Sequence, residues 1–121
     1  RGLPFSDLGW SATPTAVIGI SNVVSVAVGA YFACAVLTDG TVRCWGANIA
    51  GELGNGTTTD STSPVAVSGI DTAVSVAAGL QHACALLSDG TARCWGDNIG
   101  GQLGNPDVDN FGSTTPVTVL E

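Results

Sequence analysis

The stretch FACAVLTDGTVRCWG at residues 32–46 returns at residues 82–96 as HACALLSDGTARCWG, and this near-repetition decides the fold. Aligned without a gap, residues 14–63 and 64–113 are identical at 28 of 50 positions, and a third copy begins at Pro116. A period of this length is typical of solenoids, propellers and other repeat arrays. Because one such unit cannot bury its own apolar faces, neighbouring copies must cover them.

The composition is that of a folding chain with an acidic character. The 121 residues are 45% hydrophobic, with 17 glycines and 11% charged residues, which suits short buried strands and tight turns. Ten acidic residues against three arginines give a formal net charge of -7, so a phosphate backbone would be repelled. No apolar run approaches the roughly 18 residues of a membrane span. We therefore expect neither nucleic acid nor a membrane as a partner.

Short segments rich in valine and other apolar residues, separated by Gly, Asn, Asp or Ser, predict β-strands. No segment sustains an apolar stripe at helical spacing before a glycine or turn interrupts it, so the predicted class is all-β. Four strands in about fifty residues are the dimensions of a propeller blade. The predicted strands are Thr15 to Ile18, Val23 to Ala27, Phe32 to Leu37, Val42 to Trp45, Val65 to Ser68, Ala73 to Ala77, His82 to Leu87, Ala92 to Trp95 and Val117 to Leu120.

The repeat predicts how the chain is divided. Residues 1–13 form a leader of uncertain structure, and residues 14–63 and 64–115 form two four-stranded blades. Residues 116–121 are then the first strand of a further blade, the extra strand through which a ring closes.

The Thr38-Asp39-Gly40 and Ser88-Asp89-Gly90 turns predict the register of two hairpins. A three-residue loop with Gly in the left-handed position pairs Cys34 with Cys44, and by the same count Cys84 with Cys94. Strand residues directly opposite one another have Cα atoms about 4.5 to 5.5 Å apart, within disulfide range. Two disulfides and an oxidising compartment are therefore the favoured interpretation. The alternatives are buried free thiols and, at a spacing too long for a common zinc pair, a metal site.

Residues 82–104, HACALLSDGTARCWGDNIGGQLG, resemble the signature of the regulator of chromosome condensation repeat family. Residues 32–54 repeat it, with Phe32 and Glu52 where the family usually has His and Gln. The resemblance covers roughly residues 14–120 and implies a β-propeller, generally of seven blades in one chain, that serves as a scaffold for binding other molecules. The cysteine pairs are similar to those of bacterial, exported members, which implies a secreted protein.

Two repeats cannot make a closed ring, so we expect the ring to be completed by self-association. Identical copies would close six blades as a trimer or eight as a tetramer. Two alternatives stay open. The chain is part of a longer seven-bladed propeller, or it is an engineered or structural assembly unit without a ligand.

The residues that differ between repeats predict a protein-binding surface rather than a catalytic one. Tyr31 and Phe32 stand opposite Gln81 and His82 in the alignment, and variation over a fixed frame is where a binding surface is built. His82, the single histidine, has no second base or nucleophile set beside it in the sequence, and a structural role is favoured for it. We therefore expect no enzyme activity, catalytic residue, cofactor or metal.

Overall fold

Two four-stranded antiparallel sheets make up the computed structural model, which describes residues 22–98, 103–105 and 112–119. No helix lies in these described ranges. The strands follow chain order in each sheet. They are β1 (Val23–Val28), β2 (Phe32–Leu37), β3 (Val42–Gly46) and β4 (Ser61–Ala66) in the first sheet, and β5 (Ala73–Ala78), β6 (His82–Leu87), β7 (Ala92–Gly96) and β8 (Ser113–Thr118) in the second.

The β2–β3 hairpin has the predicted register. Cys34 lies opposite Cys44, and the Leu37 N–H donates to the Thr41 carbonyl at 2.9 Å. Gly40 takes a φ of 85°, and Asp39 Oδ1 accepts from the Thr41 N–H at 3.0 Å and its hydroxyl at 2.7 Å. The β6–β7 hairpin repeats this geometry. The turn residues therefore set the strand pairing, as predicted from the sequence.

Both predicted disulfides are present. Cys34 is bonded to Cys44 and Cys84 to Cys94, and each pair has a Cα–Cα distance of 4.0 Å. All four cysteines are therefore used, which excludes the free-thiol and zinc alternatives.

The division of the chain into blades differs from the prediction. Ser61–Ala66 pairs with β3 and completes the first sheet, and Ser113–Thr118 pairs with β7 and completes the second. The predicted blade frames of 14–63 and 64–115, and a further blade starting at residues 116–121, are therefore wrong. The predicted strands begin directly after Pro64 and Pro116, but both prolines lie within β4 and β8, which are edge strands, where a residue without an N–H is tolerated. The predicted leader (1–13) and the strand Thr15 to Ile18 lie outside the described residues.

An apolar core joins the two sheets. Alternate residues of β2, namely Phe32, Cys34 and Val36, are completely buried in this core, as are Ala83 and Ala85 of β6. The remaining β2 residues, Ala33 and Ala35, are equally inaccessible, so this strand is buried on both faces. Covering on both faces explains why its sequence is continuously apolar instead of alternating.

Backbone hydrogen bonds tie the sheets together along β5. The Ala73 N–H donates to the Gly40 carbonyl at 2.9 Å, and the Ala30 N–H donates to the Leu80 carbonyl at 2.9 Å. Between these two bonds, the Val76 N–H donates to Ser25 Oγ at 3.3 Å. Contacts at both ends and in the middle of β5 set how one sheet sits on the other.

No helix in the described ranges has the length and apolar character needed to cross a membrane.

Gly40 and Gly90 offer a matched test of the contact between the sheets. Both have left-handed φ, near 85° and 88°, so alanine at either site costs about 1–2 kcal/mol of backbone strain. A Cβ at Gly40 would also collide with the Asp71 carbonyl, whereas nothing lies within 4 Å of one at Gly90. We expect Gly40→Ala to lower the free energy of unfolding by about 1–3 kcal/mol more than Gly90→Ala. Urea denaturation at a dilution where the chain has the mass of one copy measures both, and equal losses would contradict the stacking described here.

Candidate partner-binding surface

The longer loops of both sheets lie at one end of the strands. The β1–β2 connection and the β3–β4 loop meet there, because the Ala47 N–H donates to the Tyr31 carbonyl at 2.7 Å. In the second sheet the Asp97 N–H donates to the Gln81 carbonyl at 2.9 Å. We call this end of the two sheets the loop end. The β2–β3 and β6–β7 turns lie at the opposite end.

Asn48 holds the β3–β4 loop, residues 47–60, in place. Its side chain is completely buried, and Oδ1 accepts from the Leu53 N–H at 2.9 Å. Nδ2 donates to the carbonyls of Thr57 and Thr59 at 2.9 and 3.0 Å, and the Asn48 N–H donates to Asp60 Oδ1 at 2.8 Å. One side chain thus ties three parts of the loop together. Asn98 has the equivalent role toward Leu103, accepting from its N–H at 3.0 Å.

Glu52 is a buried acid inside this loop. Its side chain is 1% exposed, and burial raises the pKa of the carboxyl, with the nearby Asp60 and Asp97 adding to the effect. Oε1 accepts from the Ala50 N–H at 2.7 Å. The Glu52 carbonyl accepts from Trp95 Nε1 of the second sheet at 2.7 Å, so the loop of one sheet caps a buried indole of the next.

The four residues predicted to contact a partner divide into exposed and packed pairs. Tyr31 is 66% exposed, and Gln81 is also exposed at the loop end. Phe32 is completely buried, with its ring directly against Gly29, so the prediction of a partner contact there is wrong. The His82 ring packs in the same way against Gly79 and is half-buried. Phe32 begins β2 and lies in the core between the two sheets, whereas His82 begins β6 on the far face of the second sheet.

The structure adds one exposed residue that the sequence did not single out as a partner contact, Ile49 in the β3–β4 loop, which is 77% exposed. Leu80, which belongs with Gln81 to the stretch that differs between the repeats, is also 77% exposed. An isoleucine beside the buried Asn48, in a loop otherwise rich in Gly and polar residues, was the available signal. It was missed because apolar residues in this chain predict strands more often than exposed contacts.

The titratable groups of the described residues do not assemble into a metal centre. No group of three His, Cys, Asp or Glu side chains in those ranges could hold an ion. Asp39 and Asp89 are occupied in their turns, where hydrogen bonds from Thr41 and Thr91 lower the pKa of each carboxyl. What the loop end offers is an acidic surface with exposed apolar side chains.

Two family models described as the regulator of chromosome condensation (RCC1) repeat match the chain. One matches residues 23–52 and again residues 73–102, and the other matches residues 39–86. Together they cover residues 23–102, about two thirds of the chain. No curated protein sequence gives a significant match.

Solved structures share the fold. The chain is 25% identical to yeast RCC1 (Prp20), solved in complex with Kap60, with a TM-score of 0.80 over 100% of this chain and 28% of that one. A second structure, Prp20p of Saccharomyces cerevisiae, was described with its binding to Gsp1p and histones; it gives 26% identity and a TM-score of 0.81 over 99% and 29%. Human WBSCR16, at 21% identity, gives 0.78 over 91% and 28% and shows the fold alone. The chain spans less than a third of each relative.

Glu52→Gln tests the buried acid, because the amide keeps an oxygen for the Ala50 N–H and removes the ionisable group. A folded pKa raised above the unfolded value means that the native chain loses stability as pH rises from the unfolded pKa through the folded one. We expect the variant to unfold at higher urea concentration than the native chain at pH 7. This advantage should disappear below about pH 4, near the unfolded pKa of Glu.

Asp39→Asn supplies a control of opposite sign. The pKa of Asp39 is lowered in the folded chain, so its charge stabilises above the unfolded pKa and this contribution is lost as pH falls. The variant should be less stable than the native chain at pH 7 and approach it in acid. If the difference in stability between Glu52→Gln and the native chain did not change with pH, the raised pKa of the Glu52 carboxyl would be contradicted.

Proposed function

The chain belongs to the regulator of chromosome condensation repeat family, and from that premise we propose that it is a non-enzymatic propeller scaffold that binds protein partners through its loop end. Support comes from the relatives, since yeast RCC1 was solved with Kap60 and Prp20p was described as binding Gsp1p and histones. It also comes from the loop end itself, where a loop held by the buried Asn48 carries exposed side chains. A rigid frame with variable loops suits recognition.

We also propose that further blades stack on the two outer faces of the pair of sheets. Residues at equivalent positions of the two repeats differ sharply in solvent exposure. Val36 in the first sheet is completely buried by the second, whereas its equivalent Leu86 is 44% exposed on the far face of the second sheet. At the other end of the stack, Val26 is 42% exposed, whereas its equivalent Val76 is 9% exposed against the first sheet. The two exposed faces therefore carry apolar residues at the same repeat positions as the two faces that are already in contact.

The tryptophans support a neighbour before the first sheet. Trp95 Nε1 donates to the Glu52 carbonyl of the preceding loop. Trp45 is the equivalent residue, completely buried, and its Nε1 has no acceptor among the described residues. A buried indole N–H ordinarily finds an acceptor, and a loop carbonyl of a preceding blade would supply one.

Two arrangements would provide these neighbours. In the first, the Leu86 face of one copy packs on the Val26 face of another, and this head-to-tail contact closes into a ring of three or four copies. In the second, the blades belong to a longer propeller. The second is favoured by coverage, since the chain spans 28–29% of the solved relatives, close to two blades in a family whose rings generally have seven.

The proposed compartment is an oxidising one outside the cell, as in the bacterial, exported members that the cysteine pairs resemble. Its support is that all four cysteines form disulfides, which persist in such compartments and are rare in a reducing cytosol.

Light scattering of the purified chain tests self-association. The first arrangement predicts the mass of three or four copies, and Leu86→Glu should then reduce it to that of one copy because a charge is buried at the contact. Val74→Glu is the matched control, since Val74 is 49% exposed outside the stacking faces, and it should keep the native mass. A native chain with the mass of one copy would overturn self-association and favour the longer propeller.

A further inference from the structure

Three large apolar side chains are exposed together at the loop end. Tyr31, Ile49 and Leu80 are 66%, 77% and 77% exposed. Backbone hydrogen bonds join the three segments that carry them: the Ala47 N–H, two residues before Ile49, donates to the Tyr31 carbonyl, and the Ala30 N–H donates to the Leu80 carbonyl. We call these three residues the loop-end patch. Single exposed apolar residues are ordinary, but a cluster spanning two sheets indicates an interaction site.

The backbone at Tyr31 presents its ring at a conformational cost. Its φ is 65°, a left-handed value that a bulky aromatic residue rarely adopts, and its repeat equivalent Gln81 does not take a positive φ. The adjacent Phe32 is completely buried, so the turn separates a core aromatic residue from an exposed one. Backbone strain of this kind is found at ligand-binding segments.

The charge around the patch has one sign. Asp60 flanks it from the first sheet and Asp97 from the second, and both are close enough to Glu52 to raise the pKa of its carboxyl. The two described arginines, Arg43 and Arg93, lie within β3 and β7 and interact electrostatically with Asp39 and Asp89 at the opposite end. The described part of the loop end therefore contains carboxylates and no lysine or arginine.

We propose that the loop-end patch binds a basic polypeptide segment that carries apolar anchor residues between its lysines or arginines. The apolar side chains of the segment would cover Tyr31, Ile49 and Leu80, while its cations would face Asp60 and Asp97. A phosphate backbone or an anionic membrane carries the wrong charge for this surface. The inference rests on the proposed function and adds the chemistry of the partner.

The two repeats provide the substitutions for a test. Tyr31→Gln and Leu80→Ala give each connection the residue that the other repeat has at that position. Asp60→Asn and Asp97→Asn remove the two charges, and the first keeps the oxygen that accepts from the Asn48 N–H. The matched controls lie away from the loop end: Val74→Ala, at a residue 49% exposed, and Asp71→Asn, at an exposed residue.

The probe is a fluorescein-labelled peptide of alternating leucine and lysine, and fluorescence anisotropy measures its binding to the full chain. We expect saturable binding whose Kd rises about tenfold in the Tyr31→Gln/Leu80→Ala double variant. The Kd should also rise severalfold in Asp60→Asn/Asp97→Asn and with added salt. Two comparison peptides should bind at least about tenfold more weakly. A peptide of alternating leucine and glutamate lacks the positive charges, and one of alternating serine and lysine lacks the apolar anchors.

Four results would overturn the inference: no binding of the leucine–lysine peptide, unchanged Kd in both double variants, an equal effect of the Val74→Ala and Asp71→Asn controls, or equal binding of either comparison peptide. The mass from light scattering, measured on the same variants, reports stacking separately. If the chain assembles but does not bind the peptide, the proposed basic, apolar partner is contradicted, whereas the proposal of a propeller scaffold is not.

Discussion

The need to bury both faces of the second strand of each sheet is the constraint on which the structure depends. In β2, five of the six residues are buried. The face formed by Phe32, Cys34 and Val36 is buried by the second sheet. The equivalent face of β6 includes Leu86, which is 44% exposed. Since burying a side chain of this size contributes about 1.5–3 kcal/mol, covering this face by a neighbouring sheet adds substantially to the stability of each sheet.

Stacking is directional because polar contacts accompany the apolar ones. The Gly40 carbonyl, Ser25 Oγ and the Glu52 carbonyl of the first sheet and its loop each accept a hydrogen bond from the second sheet. Each bond is modest, about 0.5–1.5 kcal/mol net, but together they select one orientation among many that would cover the same apolar area. The stacking also positions the loop end, because the loop that accepts the hydrogen bond from Trp95 is the one that carries Ile49.

The turns and the hairpin register could be predicted from the sequence, because they depend on residues close together in the chain. Features that depend on a neighbouring strand or sheet were harder to predict. The Thr-Asp-Gly turn was enough to pair Cys34 with Cys44, because turn geometry alone sets that register. The outer strand was misplaced because Pro64 is a boundary signal in general and an edge-strand residue here. Variation between repeats does not distinguish an exposed loop residue from a packed ring, so the sequence predicts Phe32 at the surface although it is buried. Ile49 is not predicted as a contact, because apolar residues in this chain predict strands more often than exposed contacts.

Protection of the two disulfides tests most directly whether one sheet shields the face of the next. Cys34 and Cys44 are completely buried under the second sheet, whereas Cys84 is only half-buried on its far face. Thiol attack needs access to sulfur, so at a dilution where the chain has the mass of one copy, a mild reductant should open Cys84–Cys94 at least about tenfold faster. Mass spectrometry after alkylation gives both rates. Equal rates, or faster opening of Cys34–Cys44, would contradict the account.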